Sequence, residues 1–399
     1  MNILIKIDRS FKDALLFIFD ILKFILYQIA LPAVSSITFN NFEKAIFLIK
    51  TDEIGDYILF RNFLLLIKQN EKFKDYKIVL CGNSAWKNIA ENIDLDYVDE
   101  FIWLNKKKFM NNLFYRYKFL KTISLRNPEL TVNCSYSRSF FIDDTIVHSI
   151  PSKKKIGFKT DLSNSYNWQL KISNKFYDWL VNSEGEIFEF YKNKILFEKI
   201  FDLNITLKQP YINCANLKSE IKINENYVVF FIGGRYFYKR WNLENFVKLG
   251  NHIIQKYGLR ILLLGASSEA KLNSAFVNKI ETQEYVNNLT CKTSLTDIIK
   301  ILANAKLLVS NDTGIVHIAF SVGTNTIVIA NGTHFGRFLP YPTTISQKIS
   351  VAFPPEISKL IEKKEFSFEK LKYRSLYNLN DVSYNLVKDK VDGFLQNIK

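Results

Sequence analysis

At 399 residues the chain is too long for one ordinary core, and 48% hydrophobic residues are ample for two. The formal net charge of +15 comes from lysines spread along the whole sequence amid abundant Asn, Ile and Phe. Such compositional bias weighs little for a polyanionic partner, and no nucleic acid is expected. Four widely separated cysteines, Cys81, Cys134, Cys214 and Cys291, stand in no metal-ligand spacing. They fit a reduced, cytoplasmic compartment and exclude a disulfide-rich scaffold.

The chain opens with an almost continuously apolar tract from Ala14 to Val34. At about 100° per residue, Arg9, Lys12, Asp13, Asp20, Lys23 and Tyr27 fall in one stripe, interrupted between its ends only by Leu16. Asp20 and Lys23 inside the tract argue against a cleaved signal and a spanning helix. The expectation for residues 1–40 is an amphipathic helix. It either lies in the membrane interface, with residues 9–34 as the contact, or packs on its own domain. Lys106–Lys108 and Lys153–Lys155 read as solvated loops before they read as surfaces for a membrane or an acidic acceptor.

From Ala45 strand-like runs alternate with helical stretches: AIFLIK (45–50), YKIVLC (76–81), VDEFIW (98–103), LTVNC (130–134) and KIGF (155–158). Between about Thr160 and Asn224 the pattern turns polar and irregular, which places a domain boundary there. A second series follows, with strands YVVFFIGG (227–234), RILLLG (260–265), KLLVS (306–310) and TIVIA (326–330). Helices are predicted over Leu243–Tyr257, near Glu269–Ile280, over Leu295–Ala305, after Gly314 and at the C-terminus. The fold class is α/β, with two tandem Rossmann-like domains at 41–215 and 216–399 and ligands gathering in a cleft beyond the strand ends.

Three strand-to-helix turns carry the candidate chemistry. In KTDEIGDYILF, Asp56 starts a helix whose Tyr57, Phe60, Leu64 and Ile67 form a buried face. Asp56 is either a plain N-cap or a carboxylate, favoured as an anion by the helix terminus, that accepts a proton from an attacking hydroxyl. Asp52 and Glu53 compete for that role, and spacing does not choose among the three. In FFIGGRYFYKRW, Gly233 and Gly234 end a strand before Arg235, Lys239 and Arg240. Backbone freed by glycine and followed by cations suits a diphosphate, whereas G-x-G-x-x-G and Walker patterns are absent.

The third turn is VSNDTGIVHIAFSVG (309–323). Asp312 is placed to bind sugar hydroxyls, Thr313 and Gly314 offer backbone N–H groups to phosphate, and His317 is a ligand contact or a core histidine. No second carboxylate or histidine stands at ligand spacing, so no metal is expected. Glu269, past the strand ending at Gly265, is a candidate for holding a nucleoside ribose or a plain helix-start carboxylate. The loop NGTHFGRFLPYP (331–342) carries His334 and Arg337 and is read first as a Pro-anchored surface loop, and second as an element near the donor that shapes the choice of sugar.

These three turns, in this order, resemble glycosyltransferase family 9, the group of the lipopolysaccharide heptosyltransferases, over roughly Ala45 to Pro342. The resemblance implies a GT-B fold and an inverting, metal-independent, cofactor-free transfer of a sugar from a nucleotide sugar. The donor it implies is ADP-heptose, and the acceptor is a glycolipid or oligosaccharide such as a lipopolysaccharide core. Carried over by position, Asp56 matches the base and Lys239 the diphosphate lysine, with Gly234 and Arg235 before it. Asp312, Thr313, Gly314 and His317 match the donor elbow. Departures are Gly234 and Arg235 where hydroxyl residues often stand, and the long segment before Ala45. The alternatives are another nucleotide sugar, a sugar-nucleotide epimerase of similar fold, or a basic membrane-binding protein with an inactive fold. The expected location is cytoplasmic, with a peripheral membrane contact if the N-terminal helix meets lipid.

Overall fold

A computed structural model describes residue 18, residues 20–27 and residues 41–396, except 184, 216, 220, 346, 364–374 and 376. The chain divides into two compact units. The first takes its described residues from Met1–Thr51, Asp75–Ser84 and Val98–Asn182, and the second from Asp52–Lys74, Ala85–Tyr97 and Ser183–Lys399.

The first unit holds a six-stranded sheet of β1 (Glu43–Lys50), β2 (Lys77–Asn83), β3 (Glu100–Leu104), β4 (Pro128–Asn133), β5 (Lys154–Phe158) and β6 (Trp179–Val181). The order is β3-β2-β1-β4-β5-β6 and every pairing is parallel. Near-continuous apolar runs such as AIFLI form strands covered on both faces. One face packs Phe47, Ile49, Val79 and Cys81 under Phe119, Leu120 and Ile123 of the helix Leu113–Ser124.

The second unit repeats the plan with β7 (Tyr227–Phe231), β8 (Arg260–Leu263), β9 (Val286–Asn288), β10 (Leu307–Asn311), β11 (Thr326–Ile329) and β12 (Ile349–Ala352). Its order, β12-β11-β10-β7-β8-β9, is the same topology, again wholly parallel. The predicted helices appear as Leu243–Tyr257, Ala270–Lys279, Leu295–Asn304, Gly314–Ser321 and Tyr384–Leu395. In this order the strand sequence reverses between β7 and β10, so a crevice opens beyond the carboxyl ends of those two strands.

Three expectations need correction. The polar stretch from Thr160 to Asn224 is not wholly irregular: it contains a helix Asn167–Ser173, strand β6 and a helix Glu189–Phe201 that buries Phe190, Leu196, Phe197 and Phe201. The edge strands β6, β9 and β12 escaped the sequence reading because they are three or four residues long and half-buried, too short for a period to show. Asp56 does not start its helix. That helix is Ile54–Ile58 with Glu53 as the cap residue, and the chain breaks before resuming at Asn62–Gln69. The expected face survives the break, with Tyr57, Phe60, Leu64 and Ile67 all fully buried.

At the N-terminus, residues 20–27 are helical. Arg9, Lys12, Asp13 and Leu16 of the expected stripe, and the tract from 28 to 34, lie outside the described residues. No helix among the described residues is long and apolar enough to cross a membrane.

Candidate active site

A cavity of about 820 Å³ lies wholly within the second unit, at the carboxyl ends of β7 and β10, and Asp56, Gly234, Arg235, Lys239, Glu269, Asp312, Thr313, Gly314 and His317 all line it. The structure thus brings together these candidates from the three turns with Glu269, and Glu53 lines the cavity as well, whereas Asp52, Gly233 and Arg240 are not among the lining residues. A volume of this size accommodates a nucleotide sugar.

Asp56 sits in the first turn of Ile54–Ile58, half-buried. Behind it the helix is anchored by a buried polar cluster. Tyr57 stacks on Trp86 with ring centres 3.9 Å apart and hydrogen-bonds Asp94, and Arg61 donates to both Asp94 oxygens, at 2.9 and 2.6 Å. Trp86 Nε1 in turn donates to the Asp52 carbonyl at 3.1 Å. A paired charge and a stacked ring in a dry setting fix rotamers, and so fix the direction in which the helix presents its first turn.

The short helix Ile54–Ile58 meets the helix Gly314–Ser321 at two glycines. A Cβ on Gly314 would stand 3.2 Å from the Gly55 nitrogen, and one on Gly55 would stand 2.7 Å from His317 Cδ2. Only glycine allows both backbones this close, which puts the start of each helix, and the Asp56 carboxyl group, into one cavity wall.

The second turn is held from both ends. Arg240 Nε donates to the Gly234 carbonyl at 2.8 Å, and buried Trp241 donates from its ring nitrogen to the Val382 carbonyl at 2.8 Å. Between these anchors Lys239 turns inward to Asp312, 3.0 Å away, both side chains less than one-fifth exposed. An ammonium has three donors. Asp312 takes one and thereby aims the remainder. Arg235 is different: its side chain is 71% exposed at the rim, 3.4 Å from Glu53.

Gly233 and Gly234 also separate. A Cβ on Gly233 would fall 2.1 Å from Glu269 Cγ, whereas one on Gly234 would meet nothing closer than 3.5 Å. Glu269 is buried and accepts from the Ala266 N–H at 3.0 Å and the Ser268 hydroxyl at 2.8 Å. Its carboxylate therefore shapes the turn after β8 while lining the cavity.

At the elbow, Thr313 is the extended cap residue of Gly314–Ser321, and its hydroxyl makes no capping bond. Thr313, Gly314 and Ile315 form the cavity wall there, and an uncapped helix start favours an anion. His317 is 4% exposed, its Nδ1 2.7 Å from the Tyr341 hydroxyl and its ring stacked on that tyrosine. Burial pushes the imidazole down to about 4 against the opposing pull of Asp312 and Glu189. A ring neutral at pH 7 brings no positive charge to phosphate. It joins the elbow helix to the 331–342 loop, which Arg337 also anchors through a buried pair with Glu189 at 2.8 Å.

Sequence reasoning missed Asn311. Fully buried at the end of β10, it donates to the Ile232 and Gly233 carbonyls at 2.8 and 2.9 Å and accepts from the Trp241 N–H at 3.0 Å. It ties the two strand ends at the topological switch. The only signal was its place just before Asp312. Among the described residues no group of three His, Cys, Asp or Glu side chains converges to hold a metal.

Comparison with known proteins fits this geometry. A family model described as glycosyltransferase family 9 (heptosyltransferase) matches residues 145–365. The chain belongs to glycosyltransferase family 9. It is a glycosyltransferase of the heptosyltransferase group. Lipooligosaccharide heptosyltransferase 2 of Campylobacter jejuni is 24% identical over 290 residues, covering 72% of this chain and 81% of the relative. Two solved structures share the fold. The E. coli heptosyltransferase WaaC with ADP has a TM-score of 0.66 at 17% identity, covering 88% of this chain and 99% of that one. WaaC with ADP-2-deoxy-2-fluoro heptose has a TM-score of 0.64 at 18% identity, covering 89% and 100%. The match to the family model begins after Asp56, so the case for that residue rests on its position in the cavity wall.

Proposed function

We propose that this family 9 enzyme transfers heptose from ADP-heptose to a lipopolysaccharide core or related glycolipid, with inversion and without a metal or other cofactor. The observation that carries the reading is one cavity wall in which the Asp56 helix, the Lys239–Asp312 pair and the start of the elbow helix meet. The ADP and ADP-heptose analogue bound by WaaC support the donor, and the C. jejuni relative supports the acceptor class. A nucleotide-sugar donor and four free cysteines fit a reaction on the cytoplasmic side of the membrane.

In the proposed mechanism an acceptor hydroxyl attacks the anomeric carbon on the side opposite the diphosphate, through an oxocarbenium-like transition state. The hydroxyl proton passes to an Asp56 carboxylate oxygen as the new C–O bond forms. The bond to the diphosphate oxygen breaks, and the electron pair leaves with ADP. Lys239, Arg235 and the backbone N–H groups at the elbow meet that growing charge, a preorganised arrangement that costs no reorientation during the reaction. Glu269 lines the same cavity, and in this reading it holds the nucleoside ribose.

The test is transfer from ADP-heptose to a heptose-deficient core acceptor, followed by mass spectrometry and by NMR of the new anomeric centre. Asp56→Ala should lower the rate by about two to four powers of ten with ADP binding retained. Lys239→Ala should weaken ADP binding itself, because charge-assisted bonds are lost. Chelator should change neither. Full-rate transfer by Asp56→Ala would sink the assignment of the base, and tighter binding of UDP or GDP than ADP would sink the donor.

A further inference from the structure

We infer that the first unit carries a docking surface for an anionic lipid bilayer, formed by the helix at residues 20–27 together with the helices Lys106–Asn111 and Leu113–Ser124. The inference is independent of the sugar chemistry proposed above.

The N-terminal helix is oriented the reverse of an ordinary surface helix. The arc that carries Asp20 and Lys23 also carries Phe24 and Tyr27, and this arc faces the protein. Phe24 lies 5.7 Å, ring to ring, from both Phe140 and Trp168. Tyr27 is 5% exposed and donates to the Met110 carbonyl at 2.7 Å. Lys23 Nζ stands 5.6 Å from the centre of the Phe141 ring. Aromatic packing thus takes the polar stripe inward. The opposite arc points to solvent: Ile18, Leu22, Ile25 and Leu26 are 53%, 58%, 54% and 45% exposed. A helix that needed only to coat its own domain would bury these four and expose the charges.

Charge identifies the occupant. Between Asn105 and Arg126 every Lys, Arg, Asp or Glu in the sequence is a Lys or Arg. Lys107, Lys108, Lys118 and Lys121 are exposed. Beside them Leu113 and Phe114 are 43% and 66% exposed, with Lys118 Nζ 4.3 Å from the centre of the Phe114 ring. The two parts are joined by buried Arg116, whose guanidinium lies 3.8 Å from the Tyr27 ring centre and 4.3 Å from that of Phe109. Aliphatic side chains next to unopposed lysines and an exposed aromatic ring are what an interface of acyl chains and anionic headgroups accepts. A nucleic acid would use the lysines and leave the leucines wet. A second copy would have to bring acidic surface from a chain whose formal charge is +15.

The test is flotation of the full-length protein with vesicles of phosphatidylglycerol and phosphatidylcholine, or of phosphatidylcholine alone, at low and high salt. The wild type should float with the anionic vesicles, and less so as salt rises. Leu22→Glu/Ile25→Glu should lose roughly tenfold or more in partitioning at either salt, by removing buried apolar surface. Lys107→Glu/Lys108→Glu/Lys118→Glu/Lys121→Glu should lose at least as much at low salt and little at high salt. Circular dichroism and an unchanged melting temperature establish that each variant is folded. The inference fails if folded wild type ignores anionic vesicles or if Leu22→Glu/Ile25→Glu floats as well as wild type. It fails equally if the wild type is a dimer that this variant dissolves, with no lipid binding, since the face then belongs to a second copy.

Discussion

Replacing Gly55 by alanine tests the idea that two glycines bring the Asp56 helix into the site. Gly55 has ordinary helical backbone, so propensity alone favours alanine there by about 0.5–1 kcal/mol. Against this, the new methyl would stand 2.7 Å from His317 Cδ2, 3.2 Å from Nε2 and 3.6 Å from Gly314 Cα. His317 has no room to retreat, being buried, stacked on Tyr341 and bonded to its hydroxyl. Overpacking a well-filled contact costs about 1–3 kcal/mol. The net is then about 1–2 kcal/mol, or a fall of roughly 2–8 °C in melting temperature for a unit of this size.

The larger effect falls on rate. Relief of the clash moves the Asp56 helix away from the elbow, and a displacement near 1 Å costs on the order of a hundredfold. Steady-state transfer kinetics and thermal melts on Gly55→Ala measure both. Gly55→Ala/His317→Ala frees the space, so the loss from the alanine at 55 should be much smaller in that background than in wild type, a coupling read from the double-mutant cycle. Wild-type stability and rate in the single variant, or strictly additive losses, would refute a tight contact between residues 55 and 317.

Other outcomes follow from the same geometry. His317, held near 4 by burial, stays neutral in the folded state while its unfolded form binds a proton below about 6.5, so stability is lost as pH falls from that value toward 4. The full difference is roughly 3 kcal/mol, and the melting temperature of His317→Gln should fall less between pH 7 and pH 4 than that of wild type; parallel falls would refute it. Asn311→Asp keeps an acceptor for Trp241 but sets a carboxylate against two carbonyls, which should destabilise by about 3 kcal/mol and weaken ADP binding through the Lys239 turn; a melt and a binding titration check both. Gly233→Ala drives a methyl into Glu269 and should yield little folded protein, whereas Gly234→Ala should fold within about 0.5 kcal/mol of wild type. Equal expression and melting of the two would contradict the packing at that turn.

The strands and helices of both sheets were largely legible because parallel strands covered on two faces leave unbroken apolar runs, as in AIFLIK and KLLVS, and helices such as Leu243–Tyr257 carry a clear period. The short edge strands and the helix Glu189–Phe201 were not, since three or four half-buried residues hold no period and a tract rich in Lys and Asn masks a phenylalanine face. The three turns were visible as local signals of glycine, cation and carboxylate. Their convergence was not, because residues 56, 239 and 312 are brought together by strand order and no spacing along the chain encodes it.

What the sequence alone determined is local: which runs pair into strands, where glycine permits a turn, and which side chains carry charge into it. Tertiary structure decided the rest. It separated Gly233, which must be bare to pass Glu269, from Gly234, which need not be. It gave Asn311 its work as a clasp between two strand ends, and made His317 a neutral strut by surrounding it with aromatic rings. It also turned Asp20, Lys23 and Tyr27 of the N-terminal helix toward the protein. Burial, close approach and desolvation arise only between segments distant in sequence, so no reading of one segment at a time contains them.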